Sequence, residues 1–347
     1  MITFQIIRIL MLVGVAFIAA LILTPIIVRL LEKYQLGKQI RTSDNSPIYS
    51  SLHSKKAGTL TMGGIIIWLT TLGLALLFFI LNFLFDGFWS YFDFIDRGQT
   101  YLPIAAMLIA AILGLVDDLF GVLKIGPNGG GLQIRHKLII FAVLAALGAW
   151  WFYFKLDWTA LYVPFYGNVE IGWWYFPMFM FVIIATAFSA NETDGLDGLL
   201  GGVSLFAFGA LTAVAFILGR YDLAAFSSVV IGALLAFLWH NIYPARFFMG
   251  DTGSMALGIT LGTITMLTNT VLFLPFFAVI LAIESTSVIA QLTSKKIFKK
   301  KIFLSTPIHH HFEALGWPET RVTMRFWIIS AVMSGLGLVL FVLSQTL

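Results

Sequence analysis

Long apolar stretches alternate with short polar segments along nearly the whole chain. Each stretch holds about 20 residues, which is the length that an α-helix needs to cross the hydrocarbon core of a bilayer. The pattern predicts ten membrane-spanning helices, near residues 9–30, 62–85, 101–120, 138–155, 173–190, 199–219, 223–243, 254–272, 274–292 and 326–346. Pro275 separates two of them, because one apolar region would otherwise run through 254–292. We therefore expect an all-α fold in which residues 1–347 form a single polytopic membrane domain.

The composition indicates a membrane protein and excludes the kinds of site that depend on cysteine. Hydrophobic residues make up 59% of the chain and charged residues 11%, far from the balance of a soluble domain. The chain contains no cysteine, which excludes disulfide bonds, thiolate catalysis and Cys-ligated zinc or iron–sulfur sites. The heavier basic flank of the first span, with Arg29 and Lys33, follows the apolar run, so we expect this span to be retained and not cleaved as a signal peptide.

Lysine and arginine lie mostly in alternate loops, and this predicts the orientation in the membrane. Such residues accumulate on the cytoplasmic side of short loops. With the N-terminus outside, the outer side keeps only Arg8, Arg97, Lys155 and Arg220 of the 21 Lys and Arg residues. The net charge of +4 then faces anionic lipid headgroups and any anionic substrate from the cytosol. Nothing in this charge pattern indicates a nucleic-acid partner.

Three acidic clusters fall on the same, inner face of this predicted topology. They are the pair Asp117-Asp118 at the end of the third span, the segment NETDGLDG in the loop after the fifth, and Asp251 of GDTGS in the loop after the seventh. The topology rests on lysine and arginine alone, so the shared face of the acids is a separate indication that they form one site.

Each cluster also has a purely structural interpretation. Acids often mark the end of a span, the composition of NETDGLDG favours a turn, and Asp251, Thr252 or Ser254 would make a suitable N-cap. A carboxylate at a helix C-terminus, however, opposes the helix dipole at a cost of about 0.3–1 kcal/mol. The placement of Asp117-Asp118 and the density of acids in NETDGLDG therefore favour a function.

Several carboxylates on a basic membrane face are typical of a divalent-cation site. Mg²⁺ usually takes one or two carboxylates, keeps several waters and completes its shell with phosphate oxygens. Lys56, Lys124 and Lys137 are candidates for neutralising a diphosphate, although each alone also fits ordinary positive-inside flanking. Phosphoryl transfer to a lipid fits this setting, because it needs mainly positioning and charge neutralisation.

Five motifs closely resemble those of the phospho-N-acetylmuramoyl-pentapeptide transferases. They are LGLVDDLFG, NETDGLDGLLGG, NIYPARFFMGDTGSMALG, ESTSVIAQ and TPIHHHFEALGWPE, and the similarity runs from KKAGTLTMGG to the last span. The acidic motifs are shared by the wider superfamily of polyprenyl-phosphate N-acetylhexosamine-1-phosphate transferases, whereas TPIHHHFE points to the muramoyl members.

The resemblance implies a bacterial cytoplasmic-membrane enzyme with ten transmembrane helices, both termini outside and an active site on the cytoplasmic face. It implies transfer of phospho-MurNAc-pentapeptide from UDP-MurNAc-pentapeptide to undecaprenyl phosphate, giving lipid I and UMP for peptidoglycan synthesis. It further implies a requirement for Mg²⁺ and association as a homodimer.

The resemblance also implies roles for individual residues. Asp251 is the expected principal Mg²⁺ ligand, and Asp117 and Asp118 are expected to orient or deprotonate the attacking lipid phosphate. The remaining expected substrate positions are Asn191, Asp194 and Asp197 in the nucleotide and diphosphate region, Phe248 against the uracil, Lys56 and Thr61 in the substrate loop, and Asn241 and Gln291 around the site.

The three consecutive histidines form a separate candidate group. They point in different directions from a regular helix, so they cannot all ligate one zinc ion. A single histidine is suited to carry a proton or to donate a hydrogen bond to phosphate. The family pattern favours His309 for the critical role, with His310 and His311 as further substrate-binding candidates.

Two positions depart from the family pattern, and three other functions remain open. Glu192 replaces an apolar residue beside the nucleotide region, and Leu60 replaces a proline before the second span. A sister transferase that uses UDP-GlcNAc shares the acids but should lack TPIHHHFE. An ion-coupled transporter would place its acids near the membrane midplane. A membrane scaffold leaves the concentrated acids unexplained.

Overall fold

The computed structural model describes residues 2–37, 58–85, 87–126 and 130–346, which form a helical bundle. Its helices are α1 (Ile2–Lys33), α2 (Ile65–Leu84), α3 (Tyr101–Val122), α4 (Ile134–Lys155), α5 (Tyr175–Thr193), α6 (Leu199–Ile217), α7 (Tyr221–Asn241), α8 (Asp251–Leu267), α9 (Leu274–Phe277), α10 (Val279–Ile297), α11 (Ile308–Ala314) and α12 (Glu319–Thr346). Short 3₁₀ turns lie at Phe88–Tyr91, Gly172–Trp174 and Val271–Phe273. Each apolar stretch of the sequence has therefore become helical.

Fewer helices qualify as membrane spans than the ten predicted. Within the described ranges, eight helices are long and apolar enough to cross a bilayer, and a bent pair raises the number to nine. The pair joins 271–277 to α10 with a bend of 91°, and Pro275 stands in the first turn of α9, where it needs no helical N–H partner. The predicted span 254–272 corresponds to α8, which has only 17 residues. The structure thus confirms a multi-pass helical protein but not a count of ten.

Helix α8 lies at the centre of the bundle. Every residue of this helix except Asp251 is buried, and α3 and α5 pack extensively along it. Gly114 makes the contact with α3 possible, because a Cβ atom there would lie 2.2 Å from the backbone oxygen of Asp251. Residues three apart share a helix face, so the same close approach places Asp117 beside the first turn of α8.

A small β-hairpin corrects the prediction that the fold is entirely helical. Strands β1 (Ala160–Val163) and β2 (Gly167–Glu170) pair antiparallel, with Leu161 opposite Val169. The hairpin packs at the far end of the bundle, where the Tyr162 hydroxyl donates a 2.7 Å hydrogen bond to the Ser344 carbonyl of α12. Four-residue strands are too short to stand out between two long apolar stretches.

Neighbouring helices run in alternating directions, and this order collects the polar motifs at one end of the bundle. Helices α3, α5 and α7 end there, whereas α4, α6 and α8 begin there. The start of α1 lies at the opposite end, together with the hairpin and the last turn of α12, since Arg8 pairs with Asp222 at the start of α7. We call the end that holds Asp117 and Asp251 the acidic end.

Candidate active site

The acidic end is organised around the ammonium group of Lys137 in the first turn of α4. Its Nζ lies 2.8 Å from Asp117 Oδ2 and 2.5 Å from Asp251 Oδ2. Asp117 is 2% exposed and also accepts a 2.5 Å hydrogen bond from the backbone N–H of Leu132. Two carboxylates that lie 134 positions apart in the numbering therefore meet at one cation.

Asp118 makes different contacts from its neighbour Asp117. Its two carboxylate oxygens accept hydrogen bonds of 3.0 Å from the backbone N–H groups of Asp251 and Thr252. These N–H groups belong to the first turn of α8 and have no acceptor within the helix. A negative charge is favourable at this position. The interpretation of Asp251, Thr252 or Ser254 as the side-chain N-cap is wrong, because Gly250 holds the N-cap position without such a bond and Asp118 caps the helix from α3.

Asn191 completes the surroundings of Asp251. Its Nδ2 donates hydrogen bonds of 2.5 Å to Asp251 Oδ1 and 3.1 Å to Ser254 Oγ. Asn191 was expected in a loop, but it lies in the last turn of α5, which continues to Thr193. Both oxygens of the Asp251 carboxylate are thus held in place, one by Lys137 and the other by Asn191.

Two of the three acids of NETDGLDG, Asp194 and Asp197, hold the segment that leads into α8. Asp194 accepts a 3.1 Å hydrogen bond from the Gly250 N–H, and Asp197 accepts one of 3.0 Å from the Ala245 N–H. Asn241 accepts a 3.0 Å bond from the Gly198 N–H and donates a 2.7 Å bond to the Phe247 carbonyl. These contacts bring all three side chains to the acidic end, while their expected part in nucleotide binding stays a prediction.

Thr61 and Phe248 come together in a short extended pairing. The Phe248 N–H donates to the Leu60 carbonyl at 2.8 Å, and the Phe248 carbonyl accepts from the Gly63 N–H at 2.8 Å. Thr61 is 5% exposed, and its N–H donates to the Leu36 carbonyl. The Phe248 ring is half-buried, and its expected contact with the uracil stays a prediction.

Two predicted residues, Lys124 and Gln291, lie apart from the Asp117–Lys137–Asp251 contacts. Lys124 is exposed just beyond the end of α3 and makes no ion pair within the described part of the chain. Gln291 accepts from the N–H groups of Ile302 and Phe303 and donates to the Phe303 carbonyl, so it holds a loop. Lys56 lies outside the described residues.

The three histidines have three different environments. His309 is fully buried, and its Nδ1 lies 3.0 Å from the Oε2 of Glu284, which is also fully buried. His310 Nδ1 lies 2.7 Å from Glu313 Oε2, and His311 Nδ1 accepts a hydrogen bond from the Leu304 N–H at 3.2 Å. Only separate roles are compatible with these contacts.

The charge state of His309 follows from its neighbours. Burial lowers the pKa of His309, but the charge of Glu284 and its hydrogen bond, with smaller contributions from Glu313 and Glu192, raise it more. The pKa of His309 therefore lies above its usual value. Glu284 was not singled out from the sequence, although its position within ESTSVIAQ was the available signal.

The residues around Lys137 are compatible with a divalent cation. Asp117 Oδ2 is buried and accepts no well-aligned hydrogen bond, although it faces the ammonium group. The ammonium shows that one positive charge fits between Asp117 and Asp251. The described residues contain no group of three or more acidic, histidine or cysteine side chains with metal-ligand geometry. Two carboxylates are nonetheless what Mg²⁺ commonly takes from a protein when phosphate supplies further oxygens.

Comparisons with known proteins agree with the motifs. Residues 101–269 match glycosyl transferase family 4. The chain is 34% identical over 330 residues to a phospho-N-acetylmuramoyl-pentapeptide transferase of Geobacillus thermodenitrificans, covering 94% of this chain and 95% of that protein. It is 35% identical over 344 residues to the one of Chloroflexus aurantiacus, covering 95% and 89%. The corresponding values for Clostridium perfringens are 36% over 326 residues, 94% and 96%.

Proposed function

The chain belongs to the phospho-N-acetylmuramoyl-pentapeptide transferase family, and from this premise we propose UDP-MurNAc-pentapeptide as its donor and undecaprenyl phosphate as its acceptor. The products are then lipid I and UMP. The similarity covers nearly the full length of this chain and of its relatives, and it confirms the resemblance of the five motifs. The enzyme is a multi-pass membrane transferase of peptidoglycan synthesis.

The observation that supports this reaction most directly is the meeting of Asp117 and Asp251 at Lys137. A diphosphate donor brings negative charge that a protein must neutralise while it orients the phosphorus for attack. The acidic end has a cation, two carboxylates suited to a metal, and an amide that orients one of them. Phosphoryl transfer is the chemistry for which such a set is sufficient.

We propose that Asp251 is the principal Mg²⁺ ligand and that Asp117 is the second carboxylate facing the ion. A bound Mg²⁺ would supply charge neutralisation for the diphosphate and the leaving UMP. Asn191 keeps the Asp251 carboxylate in one orientation through its 2.5 Å hydrogen bond. Asp118 fixes the start of α8, and therefore the backbone of Asp251, through the two capping hydrogen bonds.

Two residues of this site are suited to contact substrate. Lys137 has a charge on a flexible side chain, and Asp117 has a carboxylate oxygen with an available lone pair. We propose that the Lys137 ammonium contacts a diphosphate oxygen when the donor is bound, because its aliphatic stem allows it to move between anions. Asp117 has a buried carboxylate oxygen without a well-aligned hydrogen bond. It is placed to orient or deprotonate the acceptor phosphate.

The membrane placement follows from the same proposal. The acidic end faces the cytosol, where a UDP-linked donor is available, and both termini lie on the outer side of the bacterial cytoplasmic membrane. Ten membrane passes would result if the short helix α8 and the bent pair α9–α10 each count as one. Homodimer formation remains an expectation from the family resemblance.

The test is UMP release by the purified protein with undecaprenyl phosphate and Mg²⁺. UDP-MurNAc-pentapeptide and UDP-GlcNAc are compared as donors, and EDTA serves as the metal control. We expect release from the muramoyl donor alone, and loss of release with EDTA. Release from UDP-GlcNAc would overturn the donor, release in EDTA would overturn the Mg²⁺ assignment, and no release from folded protein would overturn the proposed reaction.

A further inference from the structure

Glu284 and His309 form a buried ionisable pair between two separate helices. Glu284 lies on α10 and His309 on α11, and neither side chain is exposed. The Glu284 Oε2 atom lies 3.0 Å from His309 Nδ1, and it also accepts a long, 3.5 Å bond from the His309 backbone N–H. A carboxylate that contacts both the ring and the backbone of one histidine leaves that ring little freedom to rotate.

The opposite edge of the His309 ring is pressed against the NETDGLDG turn. A Cβ atom at Gly195 would lie 2.2 Å from His309 Nε2 and 2.8 Å from the ring carbon Cε1. The Nε2 atom is buried and has no hydrogen-bond partner in the described structure. The ring is therefore enclosed between Glu284 and Gly195, and its Nε2 edge is not exposed to solvent.

Gly195 belongs to the turn that is tied to the metal-binding candidate. Asp194, immediately before it, accepts the hydrogen bond from the Gly250 N–H, and Gly250 precedes Asp251. A continuous set of contacts thus runs from Glu284 through His309, Gly195 and Asp194 to Gly250.

We infer that Glu284 is a positioning residue, which holds His309 against Gly195 and thereby sets the turn that fixes the backbone before Asp251. In this arrangement the His309 ring packs against the turn at Gly195 and keeps it in place. It does not touch the substrate. The inference rests on the proposed transferase reaction. It gives ESTSVIAQ and TPIHHHFE a shared purpose, because Glu284 of the first motif supports His309 of the second.

The charge on His309 gives this inference a measurable signature. The groups that face the ring are Glu284 from α10, Glu192 from α5, and Glu313 and His310 from its own helix. Because the pKa of His309 is raised in the folded protein, its stabilising charge is present at and below the usual histidine pKa. That charge is lost as pH rises through the raised value. The ionic contact between His309 and Glu284 is therefore lost at pH values above this raised pKa.

The first experiment measures kcat and KM for the donor across pH 6–10 in wild type and Glu284→Gln. The variant keeps an acceptor oxygen but loses the charge. We expect kcat to fall about tenfold and the alkaline limb to move to lower pH by roughly one unit or more, the size of a neighbouring-charge effect. The KM should stay within about twofold, because the ring does not touch the donor. Glu170→Gln, in the distant hairpin, is the matched control.

A second substitution tests the same contact without removing a charge. Gly195→Ala places a methyl group against the ring, and we expect kcat to fall at least tenfold. Gly209→Ala on α6 is the matched control, because a Cβ atom there meets nothing within 4 Å. This comparison remains decisive if Glu284→Gln fails to fold.

The outcomes separate the positioning role from the proposed reaction. Wild-type turnover with an unchanged pH profile in folded Glu284→Gln would overturn the inference, as would Gly195→Ala that is as active as Gly209→Ala. A rise in donor KM with constant kcat would identify His309 as a direct substrate contact and would also overturn it. A wild-type enzyme that releases no UMP refutes the transferase proposal instead.

Discussion

Buried charges occur at both ends of the bundle, but they are balanced in different ways. At the far end, Arg8 is 5% exposed and pairs with Asp222 at 2.8 Å, while the same nitrogen donates to the Asp93 carbonyl at 2.7 Å. One cation meets one carboxylate. At the acidic end, a single ammonium from Lys137 faces two carboxylates, and the Asp118 charge lies at the start of α8.

The difference distinguishes a balanced structural ion pair from a cluster in which carboxylates outnumber the cation. A buried pair that is neutral overall is at best roughly neutral for stability, but it fixes the helices that it joins. An excess of buried negative charge costs free energy, and either a proton or a bound cation reduces that cost. This contrast supports the proposal that Mg²⁺ and a diphosphate bind at the acidic end, whereas the Arg8 pair holds α1 to α7.

The largest expected effect is on turnover at the acidic end. Asp251→Asn removes one charge of the proposed metal ligand while it keeps the shape, and we expect activity to fall on the order of a thousandfold or more. Thermal unfolding in detergent should show a folded protein. Asp157→Asn, an exposed position at the far end, is the matched control, and UMP release is the measurement. Near-normal turnover in Asp251→Asn would refute the metal assignment.

The corresponding change at the far end should affect stability and not chemistry. Arg8→Met leaves Asp222 without its cation, and we expect the free energy of unfolding to fall by roughly 2–3 kcal/mol, somewhat less than for a fully buried pair because Asp222 is partly exposed. The kcat of the folded fraction should remain at the wild-type value. Arg97→Met, at an exposed position, controls for loss of charge, and thermal unfolding with UMP release measures both properties. A drop in kcat without loss of stability would contradict the comparison.

Lys137 should have a smaller and more specific effect. Lys137→Met removes the ammonium between Asp117 and Asp251, and we expect turnover to fall about 10- to 100-fold because one diphosphate contact is lost. The uncompensated carboxylates should at the same time bind divalent cations more tightly. Stabilisation of the substrate-free protein against heat by added Mg²⁺ measures this second effect. Lys155→Met, at the other end of α4, is the control, and weaker Mg²⁺ stabilisation in Lys137→Met would refute the proposed competition.

The sequence was most informative where one physical rule dominates. Apolar stretches of bilayer length predicted nearly every helix. A chain within lipid must satisfy its own backbone hydrogen bonds, and the α-helix is one of the few structures that do so. The alternation of helix direction then placed Asp117, Asn191 and Asp251 at one end. The hairpin at 160–170 was not predicted, because its aromatic and β-branched residues also occur at the ends of membrane-spanning helices.

Side-chain partners were beyond the reach of the sequence. Asp117 and Asp118 are adjacent, yet one meets Lys137 and the other caps α8. Helix geometry alone separates their directions by about 100°. The partner that each one meets depends on the close approach of α3 and α8 at Gly114, which is a tertiary feature. The burial of His309 against Glu284 depends in the same way on where α10 passes α11, and no local pattern reports such a crossing.

Glu192 provides the finest test of the charge comparison, because it adds another negative charge near the acidic end. Its half-buried side chain interacts electrostatically with His309 and Lys137, and we expect Glu192→Leu to keep turnover within about threefold of wild type. Because Glu192 contributes less than Glu284 to the raised pKa of His309, the alkaline limb of the kcat profile should move to lower pH by less than in Glu284→Gln. The pH dependence of UMP release by the two variants, measured side by side, checks this order. An inactive Glu192→Leu would show instead that Glu192 takes part in the reaction. Its carboxylate would then count among the functional acids of the acidic end.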